Sequence, residues 1–183
     1  VNGTLTVNPH LVDWANLQSP STATITQGST FTAYGQVYEP GVTNISASQG
    51  SGITVDFGIS PIGSNTNPNT WTNWTSTTAI YNNSCGTSTC GYLNTNGIPD
   101  NDEYSATTGS ALIAGTYYYT FRYRLNGGPD VYGGYNAGGG GFWNGTTDVS
   151  GTLTVTTPST CGSESFANMC TSSCSPTSSS YGT

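Results

Sequence analysis

Residues 115–125 read Gly-Thr-Tyr-Tyr-Tyr-Thr-Phe-Arg-Tyr-Arg-Leu, and this stretch decides the fold. Alternate residues from Tyr117 to Leu125 are aromatic or apolar, whereas the residues between them include Arg122 and Arg124. Aromatic side chains favour a pleated, half-buried surface, and a helix would scatter them around its axis. The stretch therefore predicts a long β-strand with an aromatic inner face, which the remaining strands cover.

Composition limits the classes of partner. The chain has 183 residues, enough for one domain with a core, but only 6% of them are charged. Its net charge is −7, and its only two permanently cationic residues are arginines. Nucleic acids and anionic membrane surfaces require clustered Lys and Arg, so neither is an expected partner. No apolar run approaches the ~20 residues of a membrane-spanning helix, which argues against membrane insertion.

Residue usage and cysteine spacing both indicate an all-β protein that is extracellular or at the cell surface. Ser, Thr and Gly dominate, and helix-forming residues are scarce. Cys85 and Cys90 bracket four residues and predict a local disulfide, while Cys161, Cys170 and Cys174 crowd the C-terminal segment. With one His in the chain, disulfides in an oxidising compartment are a better interpretation than zinc. The odd number of cysteines leaves one thiol free or bonded to another chain.

The order of strand and turn signals predicts an antiparallel, Ig-like β-sandwich with long Gly/Asn-rich loops. Short alternating segments are separated by Gly, Pro and Asn turns, and no helical period is present. We divide the chain into an N-terminal strand at residues 1–8, a β-sandwich domain at residues 9–155 and a Ser/Thr/Cys-rich tail or linker at residues 156–183. Disulfides from the three tail cysteines are expected to pin that tail.

A predicted loop after Gly97 concentrates Asp100, Asp102 and Glu103. Carboxylate oxygens at such loop positions suit Ca²⁺, although the spacing does not match an EF-hand loop, and a solvated turn is the alternative. Calcium is the one cofactor that the sequence suggests. The same carboxylates are poorly placed for glycoside hydrolysis, because adjacent loop residues rarely flank a substrate cleft. His10 and Asp13 have no evident partner nucleophile, so we interpret that pair as part of a surface turn.

Six aromatic residues lie in or beside predicted loops. They are Trp71, Trp74, Tyr132, Tyr135, Phe142 and Trp143. Exposed aromatic rings can stack on sugar rings, which would suit a polysaccharide ligand, but they can equally fill the end of a sandwich or a protein interface. The Asn-x-Ser/Thr sequons are about as many as this composition produces by chance, so they are no separate evidence for a glycoprotein.

Four motifs occur in a characteristic order along the chain. They are Asp-Trp-Ala-Asn-Leu-Gln at residues 13–18, Tyr-Gly-Gln-Val-Tyr-Glu-Pro-Gly-Val-Thr at 34–43, Asn-Asp-Glu-Tyr at 101–104 and Gly-Thr-Tyr-Tyr-Tyr at 115–119. As a set they resemble a β-sandwich module found in large secreted bacterial proteins, beside hydrolase domains and in surface proteins. The resemblance covers residues 12–155. It implies export and an accessory role, and it brings no agreed catalytic residues to this chain.

One heptad occurs twice. Residues 1–7 read Val-Asn-Gly-Thr-Leu-Thr-Val and residues 149–155 read Val-Ser-Gly-Thr-Leu-Thr-Val, so a single position differs. In a tandem array, residues 1–7 would close a preceding module. Alternatively, Val1, Leu5 and Val7 enter an edge groove of a neighbouring subunit, and head-to-tail pairing of copies then builds a fibre. We favour strand exchange, which would also give an exposed apolar strand a partner.

The chain contains no catalytic constellation, and we expect it not to be an enzyme. The favoured function is a non-catalytic structural or adhesive module of a bacterial surface protein, with copies of itself or neighbouring modules as partners and filament formation by β-strand addition. A carbohydrate-binding module attached to a secreted hydrolase is the alternative, and a hydrolase in its own right is the weakest. Glycan binding would separate the first two.

Overall fold

The computed structural model describes residues 10–74, 77–82 and 97–159. The predicted N-terminal strand, the five cysteines and most of the predicted tail therefore lie outside the described residues. The described strands are β1 (Trp14–Ser19), β2 (Thr22–Thr26), β3 (Phe31–Tyr38), β4 (Ile53–Ile59), β5 (Thr77–Thr78), β6 (Ile80–Tyr81), β7 (Asp102–Thr108), β8 (Gly115–Leu125), β9 (Val131–Gly134), β10 (Gly141–Phe142) and β11 (Gly151–Thr156). A short 3-10 helix at Pro68–Thr70 is the only helix in residues 10–74, 77–82 and 97–159, and the predicted all-β class is confirmed.

The strands form two sheets. The first has the order β1-β3-β7-β6, and every neighbouring pair in it is antiparallel. The second is built around β8, which pairs with β4 along one edge and with β11 and then β9 along the other. β10 extends β9, and β5 extends β4. β2 lies parallel to β11, so the sheets are not purely antiparallel as the sequence predicted.

The aromatic inner face of β8 forms the centre of the core, as its alternating pattern predicts. Tyr119, Phe121 and Tyr123 are fully buried. Phe31 of the first sheet contacts the ring of Tyr119 at 5.0 Å between centroids, and Phe57 contacts Phe121 at 4.9 Å. Such tilted and edge-on ring pairs contribute about 0.5–1.5 kcal/mol each beyond the burial of their area. The two sheets therefore pack face to face across a largely aromatic interior.

Two tyrosine hydroxyls tie β8 to the first part of the chain. Tyr123 donates to the carbonyl oxygen of Asn16 at 2.8 Å, and Tyr119 donates to that of Pro20 at 2.7 Å. A buried hydroxyl without a partner would lower the stability of the fold by about 1–3 kcal/mol. These two bonds avoid that loss, so both tyrosine rings can be buried. They also place the chain between β1 and β2 directly over the core, where it passes from the first sheet to the second.

The described chain begins and ends at opposite ends of β8. The carbonyl oxygen of His10 lies so close to Gly128 that a Cβ there would be 2.7 Å away, which places His10 beside the turn that follows Leu125. Val155 of β11 instead pairs with Gly115, the first residue of β8. The eleven residues of β8 span about 33 Å, so the two ends of the domain are roughly that far apart.

Candidate functional site

The two predicted tryptophans lie packed on the outer face of the second sheet. Trp71 and Trp74 are only 4% and 5% exposed, and their rings stack at 5.6 Å with an interplanar angle of 20°. Trp74 covers Gly58, where a Cβ would lie 2.6 Å from the indole, and it contacts Tyr132 at 5.1 Å. Because neither indole has an open face, the geometry matches the packing alternative and offers no platform for a sugar ring at these two positions.

An ion-pair network lies beside Trp74. The guanidinium of Arg122 is 4.7 Å from the centroid of that indole and bonds Asp56 at 2.6 Å and Asp130 at 3.3 Å. Arg124 bonds Asp56 at 3.0 Å and also pairs with Asp130. Both permanent cations of the chain therefore face carboxylates of the domain itself, which leaves no cationic patch on this surface for an anionic partner.

The remaining predicted aromatic residues belong to the hairpin of β9 and β10. Phe142 is 38% exposed, while Tyr135 and Trp143 are half-buried. Among the six predicted residues, all of which are described, direct ring contacts join only Trp71, Trp74 and Tyr132. The structure therefore does not assemble the six into one exposed aromatic surface.

The four-glycine run that leads into β10 presses this hairpin against β1. Asn16 of β1 donates from Nδ2 to the carbonyl oxygen of Gly139 at 2.6 Å. Gly133 lies so close to the backbone of Asn16 that a Cβ there would be 2.4 Å from it. The sequence predicted Gly/Asn-rich loops but not this contact, because the contact joins residues more than 100 positions apart. The hairpin thus covers the edge of β1 that faces away from β3.

The predicted calcium ligands do not converge. Asp102 and Glu103 belong to β7 rather than to a loop, because they pair with Val37 and Gln36 of β3. As consecutive strand residues, they project to opposite faces of the sheet. The third predicted ligand, Asp100, accepts a hydrogen bond through its backbone carbonyl from the Thr43 hydroxyl. No shared coordination point is formed by these three carboxylates.

Both carboxylates of β7 are buried, each with partners of its own. Oδ2 of Asp102 accepts the N–H of Gly50 at 2.7 Å, and burial raises the pKa of Asp102 to about 6. Glu103 accepts a hydrogen bond from Nδ2 of Asn82, and burial raises its pKa as well. Desolvation disfavours the charged form of each group and outweighs the hydrogen bonds that favour it.

A different cluster forms near the start of the described chain. Nδ1 of His10 lies 3.4 Å from Oε1 of Glu39, and the backbone N–H of Asp13 donates to Oε2 of Glu39 at 3.0 Å. One potential ligand atom from each of these three residues lies within 4.8 Å of the others. Sequence reasoning missed Glu39, although its position one residue after β3 places it beside the start of β1. The donor set suits a divalent cation or a simple charged turn, and no further feature in the described chain points to a bound ion.

A groove of about 570 Å³ opens at the end of the domain where β8 begins. Its lining includes Ile59, Pro61, Ile62, Asn73, Ser110 and Leu112. No charged residue lines it, and hydroxyl and amide groups alternate with apolar side chains. Ile62 is 48% exposed at its margin, and Ile113 of the adjacent loop is 58% exposed. The groove thus offers a neutral, partly apolar surface at the end of the domain that β11 approaches.

Strand β2 has one unpaired edge within the described part of the chain. Its other edge pairs with β11 from Thr22 to Thr26, and no described strand pairs with the opposite side. Ala23 and Ile25 pack against the core but remain partly exposed. A β-strand edge of this kind presents unpaired main-chain groups that can bind another strand.

The chain matches no protein-family model, and no curated protein is significantly similar to it. None of the helices in the described residues is long and apolar enough to cross a membrane.

Proposed function

We propose that this chain is a non-catalytic, extracellular structural or adhesive module of a bacterial surface protein, and that copies of it assemble by β-strand addition. Its architecture would be Ig-like. The passage of the chain from β1 in one sheet to β2 in the other, where β2 runs parallel to the last described strand, supports that arrangement. The remaining neighbours in both sheets are antiparallel, which is typical of such sandwiches.

The described side chains support a non-catalytic role. The one histidine of the chain contacts a carboxylate near the N-terminal end of the domain, and no described Ser or Thr hydroxyl bonds it. The buried carboxylates of β7 bond amide groups rather than each other. Nucleophilic catalysis requires a nucleophile within hydrogen-bond reach of a base, and a glycosidase requires two carboxyl groups across a cleft. The Thr147 hydroxyl bonds the Asp148 carboxylate on an exposed turn, and the carboxylates of Asp13 and Glu39 lie close to each other, but none of these residues lines the groove.

The observation that carries the proposal is the environment of the second heptad. The second heptad, residues 149–155, includes the first five residues of β11. In this strand Leu153 and Val155 are almost fully buried, and Gly151 faces the ring of Tyr119. The glycine is required because a Cβ would lie 2.4 Å from that ring. The positions of residues 1–7 that match Gly151, Leu153 and Val155 carry the same residue types, Gly3, Leu5 and Val7. The N-terminal heptad therefore has the side chains of a strand that completes a sheet of this kind.

Assembly is tested by electron microscopy and sedimentation of the purified chain. We expect the full chain to form filaments and a chain without residues 1–8 to remain monomeric, with the same melting temperature as the parent monomer. The Leu5→Ser/Val7→Ser variant should behave like the deletion. The Thr4→Ser/Thr6→Ser variant is the matched control and should still assemble. A full chain that stays monomeric under all conditions, or a deletion that unfolds, would overturn the proposal.

A carbohydrate-binding module is the second candidate, and the neutral groove favours it. The groove is lined by hydroxyl and amide groups without charge, as a site for an uncharged saccharide would be. A glycan array should then show binding that the Ala111→Trp variant loses, because an indole would fill the groove. The Thr146→Trp variant, on a distant exposed turn, is the control. Equal binding by both variants would exclude the groove.

A further inference from the structure

The unpaired edge of β2 presents a regular set of main-chain groups. The N–H of Thr152 donates to the carbonyl oxygen of Ser21, and the N–H of Gln27 donates to that of Thr156. In a parallel ladder, alternate residues face the same neighbour, so residues 21, 23, 25 and 27 face β11. The main-chain groups of Thr22 and Thr24 and the N–H of Thr26 therefore face the open side. The carbonyl oxygen of Thr26 already accepts the N–H of Ser29.

The residues of β2 itself carry none of the usual protection against strand pairing. Natural proteins protect edge strands with Lys, Pro, bulges or inward-pointing charges, and β2 reads Thr-Ala-Thr-Ile-Thr. Its two apolar side chains lie on the core side and are only partly buried. A strand added at this edge would cover Ala23 and Ile25 and would satisfy the outward main-chain groups.

The N-terminal heptad has the pattern that β2 already accepts on its other side. In the β11 ladder, Leu153 lies beside Ala23 and Val155 lies beside Ile25. Leu5 and Val7 have the same spacing and the same residue types. An added strand with this alternation would place two apolar side chains on the core side, while Thr4 and Thr6 would face solvent.

The heptad of the same molecule cannot reach this position. Leu5 is five residues before His10, so the two are at most about 18 Å apart. His10 lies at the Leu125 end of β8, whereas Ala23 is level with Tyr117 through Leu153. Eight residues of β8 separate those levels, which is about 26 Å. A heptad aligned with β2 must therefore come from a second copy.

We infer that the free edge of β2 is the acceptor for residues 1–7 of a second copy of this chain. The inference rests on the proposed function and identifies the surface and the segment that would carry it out. The donor segment joins the described chain at His10, at the other end of β8 from β2, so each copy can donate to one neighbour and accept from another. Such head-to-tail pairing does not close and extends as a filament.

A peptide of residues 1–7 with blocked termini tests the inference. Fluorescence anisotropy should show saturable binding of the labelled peptide to the chain that lacks residues 1–8. Addition at one edge uses the N–H groups of alternate peptide residues. One peptide is therefore N-methylated at residues 2, 4 and 6, and a second at residues 3, 5 and 7. One of the two should lose binding, and the affinity of the other should stay within about twofold of the unmethylated peptide.

Two variants of β2 locate the site. Thr24→Pro removes an outward-facing N–H and should lower peptide affinity at least tenfold, whereas Thr24→Ala keeps that N–H and should bind like the parent. Should Thr24→Pro fail to fold, a peptide with photoreactive leucine at position 5 provides the second measurement. Its cross-links should map to residues 21–29 or to Gly109, which lies beside Ile25.

The remaining outcomes separate this inference from the proposed function. Loss of binding with both N-methylated sets would mean insertion between two strands, and cross-links near β6 would mean another edge. Either result overturns β2 as the acceptor and leaves assembly by strand addition standing. Cross-links to residues 160–183 would also overturn β2 as the acceptor, because the C-terminal segment would then contact the heptad instead. If the peptide does not bind the chain that lacks residues 1–8, while the full chain still forms filaments, the role of residues 1–7 is overturned altogether.

Discussion

Asp102 makes the stability of the domain depend on pH. It is 2% exposed, and burial raises its pKa from 3.8 to about 6. Between pH 3.8 and about 6, Asp102 keeps its proton in the folded chain and releases it in the unfolded chain. The contribution of Asp102 to the free energy of unfolding should therefore be greatest below pH 4 and fall by about 3 kcal/mol as the pH rises through 6. Denaturant titrations at pH 4 and 7 should show this loss in the parent and a smaller one in Asp102→Asn. Equal losses would contradict the prediction.

Gly151 is a second residue whose replacement should have a defined cost. A Cβ at this position would lie 2.4 Å from the ring of Tyr119, which is fully buried and held by its hydrogen bond to Pro20. We expect Gly151→Ala to lose about 1–3 kcal/mol of unfolding free energy, as overpacked cores do. Gly141→Ala is the control, because its Cβ would meet its nearest neighbour at an ordinary 3.6 Å. Similar unfolding midpoints in the two variants would show that the Tyr119 ring can move.

At the scale of elements, β8 controls resistance to trypsin. The two arginines are the only tryptic sites of the chain, and both lie within this central strand. Arg122 is paired with strands on both edges, and Arg124 is paired with Thr54 of β4. Cleavage requires the strand to leave the sheet, so the native chain should remain intact for as long as it stays folded. Electrophoresis should show one band over hours in buffer and fragments within minutes in denaturant. Rapid cleavage in buffer would show that β8 opens locally.

Periodicity predicted the strands whose inner residues alternate over several positions, and β8 is the clearest example. It did not predict that β7 begins at Asp102, because the pairing of two carboxyl-bearing residues with β3 depends on partners more than 60 residues away. The burial of Trp74 had one local signal, a glycine at an outward position of β4, but that signal does not name its partner. Site geometry here depends on long-range packing, which a single sequence encodes only weakly.

At the scale of the whole molecule, net charge opposes assembly. Each copy carries −7, and both arginines are paired internally, so neighbouring copies repel one another. Raising the ionic strength from 0.01 to 0.15 M shortens the screening length from about 30 to about 8 Å, and filament formation should become faster. The uncharged blocked peptide of residues 1–7 is the control, and its affinity should not change. Slower assembly at higher salt would indicate that attraction between charges drives it.

The placement of His10 and β2 at opposite ends of β8 has a mechanical consequence. In the proposed filament, tension would pull each copy through His10 at one end and through the strand added to β2 at the other. An added strand that runs parallel to β2 would be loaded along its own axis, so the load would shear its whole hydrogen-bond ladder at once instead of unzipping it one bond after another. Forced unfolding is governed by the unfolding rate, so a sheared ladder gives high resistance without requiring high equilibrium stability. Parallel addition at β2 would thus let the proposed filament bear load along its axis.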